Sequence, residues 1–143
     1  MALVKGRVHY ISKKGSVEMV AEAIARECKV TKEPLLPAYM PEGVVIMFLG
    51  IEGKKADKVM IEFVKAMDAG RVTNVALFSA NPAKSDAAFA QVRTLLQERG
   101  VNVLDKTFVC SGKGLLGGHH PSQADLDAAG KFAAECVNSV LNK

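Results

Sequence analysis

The sequence predicts a single α/β domain built on a doubly wound, five-stranded parallel sheet of order 2-1-3-4-5, with helices on both faces. Three observations carry this. Apolar runs alternate with amphipathic segments along the whole chain, and no linker, repeat or low-complexity stretch interrupts them. The run Val44-Val45-Ile46-Met47-Phe48-Leu49 is apolar without alternation, as expected of a strand buried on both faces. Such a strand needs helices above and below a parallel sheet, and right-handed crossovers then leave few topologies. The order 2-1-3-4-5 places a ligand crevice at the carboxyl ends of strands one and three.

The first strand is expected over Arg7 to Ile11, followed at once by the loop Ser12-Lys13-Lys14-Gly15-Ser16. Val17, Val20, Ala21, Ile24 and Cys28 then keep helical spacing, which gives one buried stripe. Strands two and three are expected over Glu33 to Leu36 and Val44 to Leu49. Val59, Met60, Phe63, Val64 and Met67 mark the second helix, and Asn74 to Ser79 the fourth strand. Phe89, Val92, Leu95 and Leu96 form a third stripe that ends before Gly100, a good helix terminator. The fifth strand is expected over Val101 to Cys110. Leu126, Ala129, Ala133, Cys136, Val137 and Val140 form the last stripe; Ser122 and Asp125, just after Pro121, suit a capping box at its start.

With 143 residues and 49% apolar composition the chain fits one globule, residues 1–143. No apolar run reaches the roughly 18 to 20 residues that span a bilayer, and the start of the sequence lacks the pattern of a signal peptide. A cytoplasmic protein with no membrane association is expected. Cys28, Cys110 and Cys136 make an odd count without metal-ligand spacing, so reduced thiols and no metal site are expected. The formal charge is +4, but the lysines and arginines are scattered rather than gathered in one tract, which argues against a nucleic-acid binder.

The loop after the first strand carries the clearest chemistry. A strand that turns into a helix through hydroxyls, lysines and one glycine brings backbone N–H groups, a positive helix end and ammonium groups to one point. That combination suits a phosphate. A plain βα turn, with Gly15 at a tight bend and Ser16 as helix cap, would explain the glycine and serine but not the paired lysines. Other patterns carry less. Gly112-x-Gly114-x-x-Gly117 spells a dinucleotide fingerprint but follows the last strand, and Lys14-Gly15-Ser16 reverses the order of a Walker loop. His119 and His120 lack a third metal ligand, Cys110 lacks a paired base, and His9 suits a strand-core histidine. Glu52 and Asp57 suit a loop and a helix cap as well as acid/base work.

The segment Ile11 to Ile24 resembles the first strand, phosphate loop and first helix of the flavodoxin family. Phe48 to Asp57, Val75-Ala76-Leu77-Phe78-Ser79, Phe108 to Lys113, and His120-Pro121 through Phe132-Ala133 resemble short flavodoxin-like proteins, so the likeness covers nearly the whole chain. It implies a noncovalent FMN site and one-electron transfer between partner proteins. By the same resemblance, Ser12, Lys13, Lys14, Gly15, Ser16 and Val17 would hold the phosphate. Gly50, Ile51, Glu52 and Gly53, with Ser79, Ala80, Asn81 and Pro82, would flank the flavin ring. The family's phosphate loop reads Thr/Ser-x-Thr-Gly-x-Thr; here Lys14 and Val17 replace two hydroxyl residues. The family stacks the ring on Trp or Tyr from the loops after strands three and four, whereas this chain has no Trp and no aromatic residue in either loop. It is also basic where flavodoxins are typically acidic.

Two functional classes follow. The first is an FMN-binding electron carrier, rather than a stand-alone catalyst, that serves a redox partner protein. The second is a flavodoxin-fold accessory or interaction protein in which FMN binding is weakened or lost. A phosphorelay receiver shares the topology but needs acidic residues where this chain has Ser12-Lys13-Lys14.

Overall fold

Every neighbouring pair of strands runs parallel, so each must be reached by a crossover, and the chain supplies these mostly as helices. The computed structural model describes residues 5–11, 15–52, 56–80, 85–110 and 121–141. The elements in order are β1 (Gly6–Tyr10), α1 (Ser16–Cys28), β2 (Lys32–Pro34), β3 (Val44–Ile51), α2 (Lys58–Lys65), β4 (Val72–Ser79), α3 (Ser85–Glu98), β5 (Asn102–Val103), β6 (Phe108–Val109) and α4 (Gln123–Leu141). The sheet order is β2-β1-β3-β4-β5, with β6 also paired to β4.

The pleat divides the core in two. Val8 and Tyr10 of β1, Ile46 and Phe48 of β3, and Ala76 and Phe78 of β4 join the stripes of α1 and α4. Met47, Leu49 and Ile51 of β3, with Val75 and Leu77 of β4, join α2 and α3 on the other face. This is the period-two alternation of a strand covered on both sides, and it explains why β3 reads as one unbroken apolar run. The capping box is formed: the Ser122 N–H donates to Asp125 (2.9 Å), and the Asp125 N–H donates to Ser122 Oγ (3.1 Å).

Two expectations need refinement. The expected fifth strand, Val101 to Cys110, is two short strands in one sheet position. Arg93 of α3 donates to the Leu104 carbonyl (3.0 Å) and Val103 carbonyl (3.4 Å), while Lys106 pairs with Glu135 of α4 (2.6 Å). Leu104, just past β5, still donates its N–H to the Val75 carbonyl of β4 (2.8 Å), so the break falls between there and Phe108. β2 is also shorter than expected: Leu35 turns into the core and Leu36 is 61% exposed, and residues 35–43 connect β2 to β3 without a helix.

Gly50 and His9 show how tightly β3 is enclosed. A Cβ on Gly50 would lie 2.6 Å from the Phe78 ring and 2.8 Å from Val17 Cγ1. Val17, from the first turn of α1, thus packs directly on β3 backbone. His9 is 2% exposed; its Nδ1–H donates to the Glu33 carbonyl (3.1 Å), and Nε2 has no hydrogen-bond partner among the described residues. The Tyr39 ring lies 4.6 Å away, centroid to centroid. Burial disfavours the imidazolium and pulls the His9 pKa below 6.5, against the raising effect of the Glu33 carbonyl.

Two outcomes follow from this packing. Gly50→Ala should lower unfolding free energy by about 2 kcal/mol or more, read as a fall in urea midpoint; an unchanged midpoint would show that Phe78 and Val17 can yield. For His9, the unfolded chain takes up a proton near pH 6.5 that the folded chain refuses. Stability is therefore complete above that pH and declines as pH falls toward the lowered folded pKa, by at most about 1.4 kcal/mol per pH unit. Urea titrations at pH 7.5 and 5.5 should show this decline in the wild type and a shallower one in His9→Gln; equal slopes would remove His9 as the cause.

Candidate functional site

β1, β3 and β4 end together because Tyr10 pairs with Gly50 and Gly50 with Phe78. Pairing continues one residue beyond β1, where the Ile11 N–H donates to the Gly50 carbonyl (3.1 Å). The chain enters α1 through Gly15, at φ 90° and ψ −14°. Its carbonyl accepts the Met19 N–H (3.1 Å), the first bond of the helix. Gly15, rather than Ser16, is therefore the cap residue, and Ser16 is the first helical residue. A side chain is disfavoured at this φ, yet among the described residues nothing lies within 4 Å of a Cβ built on Gly15.

The two residues after Ser16 divide the work of docking and charge. Val17 is 1% exposed, and its packing on Gly50 commits its side chain to the core. Only its backbone remains to serve a ligand. Glu18 carries a negative charge in the same turn, where it opposes the positive helix end. Its carboxylate bonds Lys32 of β2 (3.0 Å) and the Tyr10 hydroxyl, and these partners hold its pKa below the usual carboxylate range. Burial pushes the Tyr10 phenol up, and the Lys32 ammonium lies 5.7 Å from the centroid of its ring. Sequence reading missed this Tyr10–Glu18–Lys32 group, because its members join only when β2 is placed beside β1.

At the end of β3, Gly50 is enclosed by Phe78 and Val17, Ile51 is 1% exposed and Glu52 is half-buried. At the end of β4, Ser79 and Ala80 are buried, and Ser79 Oγ has no hydrogen-bond partner among the described residues. The edge thus joins Gly15, Ser16, Val17, Gly50, Ile51, Glu52, Ser79 and Ala80. Ser12, Lys13, Lys14, Gly53, Asn81 and Pro82 lie outside the described residues, as do His119, His120 and the Gly112 to Gly117 fingerprint. Asp57 caps α2, accepting from the Val59 N–H (2.8 Å). Cys110 is buried and its N–H donates to the Ser79 carbonyl (3.2 Å); burial pushes its thiol up to about 12, which suits packing rather than nucleophilic work.

Among the described residues no group of three or more His, Cys, Asp or Glu could hold a metal ion, and no helix is long and apolar enough to cross a membrane. A groove of about 300 Å³ lies between α1 and α4, lined by Met19, Glu22, Arg26 and Asp127 among others. It is separate from the strand-end edge and gathers none of the residues singled out for ligand chemistry.

No protein-family model matches the sequence, and no curated protein matches it. Solved structures do match. A flavodoxin from the domain Archaea superposes with a TM-score of 0.72 at 16% identity, covering 96% of this chain and 99% of that one. Oxidised flavodoxin 2 from Bacillus cereus gives 0.72 at 17% identity, with 95% and 99% covered. Two-electron reduced Megasphaera elsdenii flavodoxin gives 0.61 at 16%, with 91% and 98% covered. With parallel strands in the order β2-β1-β3-β4-β5 and helices on both faces, the chain has the flavodoxin-like fold.

Proposed function

We propose that the chain binds FMN noncovalently at the carboxyl edge of the sheet and exchanges electrons with a partner protein. One observation carries this reading: Gly15, at φ 90°, sets the N-terminus of α1 beside the ends of β1 and β3, in a fold shared with solved flavodoxins. A helix N-terminus offers N–H groups and a positive dipole end to an anion. The residues present fit a phosphate held chiefly by backbone. Val17 is committed to the core, so Ser12, Ser16 and the charges of Lys13 and Lys14 take the place of the missing hydroxyls. FMN, when bound, supplies the redox chemistry. The chain's own part is to anchor the phosphate, flank the ring with residues 50–53 and 79–82, and limit water access from the buried strand ends.

The aromatic residues favour a second reading, an accessory protein with weakened or lost FMN binding. The sequence has no Trp. Of its two tyrosines, Tyr10 is 6% exposed and Tyr39 stacks on Phe63 at 5.9 Å. The stretches after β3 and β4, residues 52–57 and 80–84, contain no aromatic residue. Each missing stacking contact forgoes about 1 kcal/mol of ring affinity. Phosphate anchoring must then supply a larger share of the binding energy.

Charge at position 15 separates these readings from a fold defect. Asn and Asp both tolerate positive φ better than other side chains, so Gly15→Asn controls for backbone strain. Gly15→Asp should weaken FMN at least tenfold relative to Gly15→Asn, while riboflavin, which lacks phosphate, binds the two alike. Equal FMN affinity in the two folded variants would place the phosphate elsewhere.

A further inference from the structure

The groove between α1 and α4 has an apolar floor and an acidic rim. Met19, 44% exposed, and the half-buried Ala23 and Leu126 form the floor. Gly130, inside α4, continues it: Glu27 Oε1 lies 3.3 Å from the position of a Cβ built there, so the carboxylate sits over the helix where a side chain would stand. A glycine inside a helix is unfavourable relative to alanine; here it makes room. Along the rim, Glu22, Glu27 and Asp127 accompany one cation, Arg26, so three carboxylates to one guanidinium leave a surplus of two negative charges. Arg26 is already paired with Glu22 (2.7 Å), and Asp127 accepts from Gln123 Nε2 (2.9 Å). Glu27 and Asp127 have no cationic partner among the described residues, and Lys131, one turn past Asp127, does not line the groove. The whole chain carries a formal charge of +4, so the groove is a local reversal of sign.

We infer that this groove docks a basic segment of a partner protein, with lysine or arginine stems on the apolar floor and their charged heads at Glu27 and Asp127. A long cationic side chain is apolar along its stem and charged at its tip, which matches a floor of Met19, Ala23 and Leu126 below carboxylates. Methionine adapts its shape to varied apolar contacts. The lining runs on α1 from Met19 to Glu27, about 12 Å of helix, which accommodates about three or four residues of extended chain. Charge excludes the other macromolecules: nucleic-acid phosphates and anionic lipid headgroups have the same sign as the rim. The surface at large, with the opposite net charge, disfavours a basic segment, and such contrast gives an interface its specificity and register. The groove is separate from the strand-end edge, so the inference does not rest on flavin binding.

The test uses the full chain and a fluorescent peptide of alternating Lys and Leu, with a Glu-Leu peptide of equal length and spermine as comparisons. Glu27→Gln/Asp127→Asn removes two charges at the groove and keeps the side-chain shape; Glu62→Gln/Glu98→Gln does the same at exposed positions on α2 and α3. At about 20 mM salt, where surface charges are weakly screened, the groove variant should bind the Lys-Leu peptide at least tenfold more weakly than wild type, and the control variant within about threefold. Met19→Gln, which makes the floor polar, should weaken the peptide at least threefold and leave spermine within about twofold. Equal losses in the two charge variants, no binding of the Lys-Leu peptide at low salt, or tighter binding of the Glu-Leu peptide would overturn the inference. Spermine bound as tightly as the peptide, or a peptide affinity unchanged by Met19→Gln, would also overturn it, in favour of a site for a free polyamine.

Discussion

The absent side chain of Gly50 is the constraint on which the rest depends. Phe78 from β4 and Val17 from α1 occupy the space that a Cβ would need, so the first turn of α1 lies directly on the backbone of β3. That contact fixes the helix end relative to the strand ends. It also accounts for Val17 in a loop whose resemblance to flavodoxins would call for a hydroxyl: the side chain there packs instead of binding. Gly15 then redirects the chain at positive φ, and Ile11 continues the pairing with Gly50. Helix docking and strand-end geometry meet in this one glycine.

Electrostatics at this edge are arranged by neighbours rather than by the loop alone. Glu18 would oppose an anion at the N-terminus of α1, but Lys32 and Tyr10 take up its carboxylate. Lys32 sits on β2, and β2 pairs with β1, so the sheet order itself brings the neutralising charge. A crevice at the carboxyl ends of parallel strands is the usual ligand position in open α/β sheets.

Much of the fold was legible because β3 and the amphipathic stripes of α1 and α2 are long and strongly patterned. Val44 to Leu49 could hardly be anything but a strand covered on both faces. The capping box at Ser122 and Asp125 was legible from spacing alone. The break between β5 and β6 was not legible, because the residues that meet this stretch, Arg93 and Glu135, come from other elements. The role of Gly15 was half legible: the sequence shows a glycine before the helix, while only the backbone shows that it, and not Ser16, is the cap.

Selection of a phosphate-bearing flavin is the property that distinguishes a flavin site at this edge from a bare fold. Calorimetric titration of the purified apo-chain with FMN and riboflavin, repeated in inorganic phosphate, tests it most directly. FMN should bind at least tenfold more tightly than riboflavin, and phosphate should compete with FMN while leaving riboflavin unaffected. Failure to bind FMN, or equal affinity for the two flavins, would contradict a phosphate-anchored site and leave the fold to serve a flavin-free partner function.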